Sequence, residues 1–154
     1  MKLIFSVRCY CCIALVVLIL DRITKWYALT YLEDAYQVTS FLSFDLVMNR
    51  GISWSLLHSD SHIIFALLTC FIAIIIALLM VHSVRRWHEG YSIMGEVLTL
   101  SGALSNFIDR IIYGGVIDFI GISIGWFSWP VFNLADCCIV CGISLMALSL
   151  YSSP

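Results

Sequence analysis

The sequence predicts an all-α membrane protein: four transmembrane helices with a small extracytoplasmic β-platform and both termini cytoplasmic. Three observations carry that expectation. The 154 residues are 62% hydrophobic and 12% charged, with a mean hydropathy of +1.01. Soluble domains carry about 45–50% apolar and about 25% charged residues. The apolar residues fall into four runs, each long enough to cross about 30 Å of hydrocarbon as a helix. The connecting segments alternate between basic and base-poor, as they do when a chain crosses a membrane repeatedly.

The first run, residues 9–32, follows Lys2 and Arg8 and begins like a secretory signal. Asp21-Arg22-Ile23-Thr24-Lys25 then interrupts it, with no small-residue cleavage site, so it is expected to remain as an uncleaved span. The second run, 61–84, has no acidic or basic side chain until Arg85. The third covers 91–113 and the fourth 130–151. Helix is the default for each, because backbone polar groups in hydrocarbon must be satisfied within the segment. Residues 1–154 are expected to form a single integral membrane domain, with no room for a separate soluble one.

Lys2 and Arg8 precede the first span, and Arg85 and Arg86 lie between the second and third. The loop 33–60 sets only Arg50 against Glu33, Asp34, Asp45 and Asp60, and 114–129 has no base. Both termini and the middle loop are therefore predicted on the cytoplasmic side. Trp26, Tyr27, Trp54, Trp126 and Trp129 then fall at the outer interface, where aromatic belts form. Ile120, Ile122, Ile124 and Trp126 alternate with Gly121, Ser123 and Gly125, a period-two strand pattern. Residues 41–48 are also extended in character. Together they suggest a strand platform lying on the outer membrane surface.

Composition removes several classes of function. A net charge of −2 without a basic cluster gives nucleic acid no footprint. Seven cysteines, an odd number and mostly in apolar runs, do not read as a disulfide framework. Cys138-x-x-Cys141 has a redox or metal spacing but no second ligand pair, and packing is the expected role. His58 and His62 are four apart without a third ligand, so an interfacial role is expected and no metal site is assigned.

Ionisable side chains inside spans are costly, and they are usually paired or functional. Here they converge on the outer third of the membrane. Asp21 and Lys25 are four residues apart and share a helix face. Asn106, Asp109 and Arg110 close the third span, and Asp118 follows just beyond it. Asn133 and Asp136 open the fourth, three apart and on one face. Glu96, near the inner end of the third span, belongs to another layer. Plainer readings stand beside these. Asp21 with Lys25 is most simply a structural ion pair, Asp109-Arg110 an interfacial pair with a snorkelling arginine, and Asp118 alone an ordinary loop residue. Asp118 and Asp136 together are different. Two carboxylates in one poorly hydrated site cannot both ionise easily, so one keeps its proton. A general acid and a general base for activating water against an amide need that arrangement. No serine–histidine, cysteine–histidine or HExxH pattern competes. Two other classes remain open. One is a proton-coupled transporter or channel with Asp21, Asp109, Asp118 and Asp136 as relays, which would spread polarity through the full depth. The other is an assembly subunit docking through its strands, which gives no reason for paired aspartates.

Four ordered blocks carry a resemblance. They are Asp21-Arg22-Ile23-Thr24-Lys25; Asn49-Arg50-Gly51-Ile52-Ser53-Trp54-Ser55; Gly102 to Arg110 followed by Gly115-Val116-Ile117-Asp118-Phe119; and Trp129-Pro130-Val131-Phe132-Asn133-Leu134-Ala135-Asp136. In these blocks the chain resembles the lipoprotein signal peptidase (signal peptidase II) family over nearly its whole length. The resemblance implies an aspartic endopeptidase of the bacterial inner membrane, its active site toward the periplasmic face. Its substrates would be prolipoproteins bearing diacylglycerol on the lipobox cysteine, cut just before that cysteine. It implies Asp118 and Asp136 as the catalytic pair. Asn49, Gly51, Asn106, Arg110 and Asn133 would position substrate and support the pair, with Asp21, Lys25 and Asp109 in support. It implies no metal or organic cofactor. The partners are the lipid-modified prolipoprotein and membrane lipid, and one chain holds both carboxylates, so a monomer suffices. Ser105 stands where the family usually has glycine and Ser53 where alanine is usual; both are small enough for close backbone approach.

Overall fold

The computed structural model describes residues 6–51 and 61–151; Lys2, Ile52, Ser53, Trp54, Ser55, His58 and Asp60, named above, lie outside them. The elements in order are α1 (Val7–Tyr31), β1 (Tyr36–Gln37), β2 (Leu42–Asn49), α2 (His62–His88), α3 (Met94–Tyr113), β3 (Val116–Ile124), β4 (Phe127–Phe132) and α4 (Leu134–Tyr151). The strands form one antiparallel sheet in the order β1-β2-β3-β4. Four helices and a small sheet are thus both present, with three local differences from the sequence expectation.

First, α2 does not stop at Val84 but continues through Arg85 and Arg86 to His88. The bases expected in a loop instead close its last turn, where they complement the negative end of the helix dipole. Second, residues 130–132 are strand, not helix. Pro130 has no backbone N–H to give a ladder, and it sits on β4, an edge strand that tolerates this. Third, β3 is not a one-faced strand. Val116 to Phe119 are all buried, and only its far end opens, with Ile124 exposed and Trp126 beyond it in the turn.

The helices expose apolar residues and bury polar ones. Ile63, Leu67 and Leu78 on α2 are 65–73% exposed, whereas Asp21, Lys25, Glu96, Asp109, Asp118 and Asn133 are among the most buried side chains. Water-soluble proteins show the opposite pattern. The segment His62–His88 is long and apolar enough to cross a membrane, and Leu134–Ser149 is a shorter apolar helix. Glu96 pairs with Arg86 Nε at 3.1 Å and ties α2 to α3. This pair is separate from the ions that Asp21, Lys25 and Asp109 form.

The α3–α4 crossing sets where the site forms. A Cβ on Gly102 would strike the carbonyl oxygen of Ala135 and lie 2.9 Å from Ile139 Cγ1. A Cβ on Gly142 would strike Thr99 Oγ1 and lie 2.7 Å from the Thr99 nitrogen. The two backbones therefore approach as closely as small residues allow, which brings Asn106 beside the first turn of α4. Gly102→Ala should push the helices apart and lower stability by about 1–3 kcal/mol. Thermal unfolding of the detergent-solubilised protein would read this as a depressed midpoint; an unchanged midpoint would contradict so close a crossing.

Candidate active site

Helix α1 carries Asp21, Arg22 and Lys25 toward α3. Lys25 Nζ lies 2.8 Å from Asp21 Oδ2, the i,i+4 pair foreseen, and 2.7 Å from Asp109 Oδ2 on α3. Arg22 Nη1 donates to Asp109 Oδ1 at 2.6 Å, and Arg22 Nη2 donates to Asp21 Oδ2 and Ser105 Oγ. Asp109 therefore faces α1, and the Asp109-Arg110 pair does not form. Neighbouring residues on a helix point in different directions, and Arg110 instead donates to the Gly51 carbonyl at 2.6 Å. Arg22 and Ser105 are the members that sequence reasoning missed. Arg22 lay inside a quoted block, but its partner is 87 residues away.

A second layer of three asparagines rests on this cluster. Asn106 Oδ1 accepts from Lys25 Nζ at 2.7 Å, and Asn106 Nδ2 donates to Asp136 Oδ1 at 2.8 Å. Asn133 sits immediately before α4. Its Oδ1 accepts the Asp136 backbone N–H at 3.0 Å, while Asp136 Oδ2 accepts the Asn133 N–H at 3.1 Å. This reciprocal cap satisfies two donors at the helix start. Asn133 Nδ2 then donates to Asp118 Oδ1 at 2.6 Å. Asn49, at the end of β2, accepts the Gly51 N–H on Oδ1 and donates through Nδ2 to Asp118 Oδ2 at 2.9 Å. The β2–β3 register, which sets Val47 opposite Asp118, brings Asn49 within reach.

A cavity of about 880 Å³ opens over these groups. Asn49, Gly51, Asn106, Arg110, Asp118 and Asp136 supply its polar wall. Phe71 and Ile75 of α2, Val140 of α4, and Ile122, Phe127 and Trp129 of the β3–β4 hairpin supply apolar wall. Asp21, Lys25, Asp109 and Asn133 are buried and do not line the cavity. The predicted residues thus come together in two ranks, one on the cavity and one behind it. The seven cysteines are free thiols, and Cys137 and Cys141 lie on the cavity. His62 is exposed at the start of α2.

Burial pushes the Asp118 carboxyl up to about 7; the Asp136 charge adds to this, against opposing hydrogen bonds from Asn49 and Asn133. One carboxyl can therefore hold a proton near neutrality beside a second carboxylate. That combination can take a proton from water and give one to a carbonyl oxygen.

Residues 13–152 match the signal peptidase (SPase) II family. The "Lipoprotein signal peptidase" of Francisella tularensis subsp. novicida (strain U112) is 37% identical over 148 residues, covering 93% of this chain and 92% of that protein. That of Anaplasma marginale (strain Florida) is 36% identical over 128 residues, covering 80% and 73%. A bacterial membrane enzyme solved by the in meso method at 2.3 Å superposes with a TM-score of 0.79 at 29% identity, over 99% of this chain and 93% of that one. A second, solved at 1.9 Å, gives a TM-score of 0.76 at 28% identity, over 100% and 99%. These matches span nearly the whole sequence, and the chain belongs to the signal peptidase II family of peptidases.

Proposed function

We propose that this peptidase removes signal peptides from prolipoproteins, cutting just before the diacylglyceryl-modified cysteine, with Asp118 and Asp136 as its catalytic pair. The observation that carries the reading is the cavity wall. Two carboxylates line it, bridged by Asn133, whose side-chain amide donates to Asp118 and whose backbone N–H donates to Asp136, beneath an opening whose remaining wall is mostly apolar. A lipidated peptide matches both halves. Its acyl chains suit the apolar side, and its scissile amide reaches the carboxylates.

In the reaction, one carboxylate takes a proton from water as the water oxygen adds to the amide carbon. The other gives its proton to the carbonyl oxygen. Collapse of the resulting diol breaks the C–N bond, the amine leaves with the proton taken from water, and one hydroxyl proton returns to the carboxylate that had protonated the carbonyl oxygen. Asn49 and Asn106 hold the carboxylates from the cavity side, and Arg110 with the Gly51 backbone borders the substrate path. Asp21, Lys25, Asp109 and Asn133 hold that wall from behind. No step calls for a metal or organic cofactor.

The proposal places a single domain of four spans in the bacterial inner membrane, with termini and Arg85-Arg86 cytoplasmic and the carboxylates toward the periplasm. The distribution of bases supports that orientation. One copy contains the whole site, so a monomer suffices, and lipid is its solvent. The transporter reading gains no support. Between Glu96 and Asn106, the Thr99 and Ser101 hydroxyls donate to carbonyls of their own helix rather than to a relay.

Asp118→Asn and Asp136→Asn should each reduce cleavage of a diacylglyceryl-modified lipobox peptide in detergent by about 10²–10⁴-fold. Their unfolding midpoints should remain within a few degrees of wild type. Wild-type rates in either variant would remove that aspartate from the mechanism. Cleavage should persist in the presence of a chelator; abolition by EDTA and rescue by a divalent ion would overturn the two-carboxyl scheme.

The pH dependence follows from the raised Asp118 group. Below about 7 that carboxyl holds its proton, and above it the proton is lost. The rate should therefore fall as pH rises through about 7, and fall again at acid pH when the second carboxylate is also protonated. A pH series of kcat should give a bell; a rate that keeps rising well above pH 8 would contradict the protonated acid.

A further inference from the structure

We propose that Lys25 is a positioning residue that, acting through Asn106, keeps Asp136 as the base of the pair and leaves Asp118 as the acid. The inference rests on the peptidase reading and adds a direction to it. Lys25 is 1% exposed, and its ammonium contacts Asp21, Asp109 and Asn106 at 2.7–2.8 Å. An ammonium only donates, so the Asn106 atom facing it must be the amide oxygen. Asn133 Nδ2, 3.2 Å from the same oxygen, makes the same demand. The Asn106 NH₂ is then forced toward Asp136 Oδ1.

Asp136 is suited to carry the negative charge. It is three residues past Asn133, in the first turn of α4, where free backbone N–H groups favour an anion. Its other oxygen accepts the Asn133 N–H. It is also partly open to the cavity, whereas Asp118 is 2% exposed in mid-strand. Among the described residues, Asp118 accepts its side-chain hydrogen bonds from neutral amides, those of Asn49 and Asn133. In the reaction Asp136 takes the proton from water, whose oxygen bonds to the amide carbon. The Asp118 proton passes to the carbonyl oxygen. On collapse, Asp136 returns its proton to the leaving nitrogen, the C–N bond breaks, and a hydroxyl proton goes back to Asp118.

Among the described residues, the charged and titratable groups around Asp136 fall on four elements. From α1 they are Asp21, Arg22 and Lys25, and from α3 Asp109 and Arg110. Asp118 faces it from β3 and Cys137 adjoins it on α4, while α2 presents Phe71 and Ile75 to the cavity. Removing Lys25 takes away the ammonium in contact with Asp21, Asp109 and Asn106. It also leaves Asn133 Nδ2, at 3.2 Å, as the remaining donor on the Asn106 oxygen, a weaker hold on the amide. Both changes loosen the donor that Asn106 presents to Asp136.

The test compares pH profiles of kcat on the lipidated lipobox peptide for wild type, Lys25→Met, and Lys25→Met combined with Asp21→Asn. The double variant leaves Arg22 opposite Asp109 and so restores charge balance. It should fold with KM within about twofold of wild type. Its kcat should drop at least tenfold, and the rising limb of its profile should move up by about half a unit or more. A folded double variant with wild-type kcat and an unmoved limb would reduce Lys25 to charge neutralisation and overturn the proposal. Where neither Lys25 variant folds, Asn106→Ser removes the relaying amide alone; the same upward shift is expected, and an unmoved limb overturns the proposal. Infrared spectra of the carboxyl stretch near pH 6 add an independent reading. The protonated-acid band should vanish in Asp118→Asn and persist in Asp136→Asn, and the reverse would overturn the assignment. If the wild type itself fails to cut the peptide, the peptidase reading falls; if it cuts and the limb stays put, only the role of Lys25 falls.

Discussion

Four charged side chains packed between α1 and α3 hold the rest of the structure in place. Asp21, Lys25 and Asp109 are at most 1% exposed, and Arg22 closes the group. Removing charges from water costs several kcal/mol per ion, and breaking such a pair about 3–5 kcal/mol. The cluster meets that cost by being complete. Two cations face two carboxylates, and the spare acceptor capacity is used by the backbone. Asp21 Oδ1 accepts the Ala135 N–H at the start of α4, and Asp109 Oδ2 accepts the Ile117 N–H of β3. Ala135 precedes Asp136, and Ile117 precedes Asp118. The same ions that join two helices therefore also fix the backbone beside each of the two carboxylates on the cavity.

Between that cluster and the cavity, three asparagines obey one rule. Each amide oxygen is claimed by a donor: Gly51 N–H for Asn49, Lys25 for Asn106 and the Asp136 N–H for Asn133. Each NH₂ is thereby left for a carboxylate. Aspartate at these positions would add charge and lose the donor. Glutamine would need a further ordered torsion to reach the same atoms, with the entropy cost that entails. The differing scaffolds then separate the two acids. Asp118 comes from a buried strand and Asp136 from a helix start, so identical side chains meet different fields.

Much of this was legible in the sequence, and the misses have physical causes. Long apolar runs marked all four helices, because burying backbone polarity in hydrocarbon leaves few other options. The same signal blurred the β4–α4 junction. Residues 130–151 form one apolar run, and hydrophobicity alone does not separate an edge strand from the helix after it. Asn133 was the available marker, a capping residue with an acid three positions on. The Asp21–Lys25 pair followed from helical spacing. The Arg22–Asp109 bond did not, since it joins residues far apart in sequence. Adjacency suggested Asp109-Arg110 instead, although adjacent residues on a helix diverge. The gathering of acids in one cluster was readable from their positions in the apolar runs. Their division into a cavity rank and a supporting rank was not, because it depends on how α3 and α4 cross.

Ser105 shows how the two helix contacts differ in what they require. The serine is fully buried in α3, where the resemblance leads one to expect glycine. A buried hydroxyl without partners costs about 1–3 kcal/mol. Here it donates to Asp21 Oδ2 at 2.6 Å and accepts from Arg22 Nη2 at 3.0 Å. The added atom is absorbed by the ion cluster, whose Asp21 carboxylate and Arg22 guanidinium supply its partners. One turn earlier on α3, Gly102 meets the Ala135 carbonyl with no space for an added atom. Small residues on α3 are therefore not equivalent. On the α4 side glycine sets the distance between backbones, and hence the reach from Asn106 to Asp136. On the α1 side charged groups make the contact, and a serine can enter as one more hydrogen-bonded link between the helices.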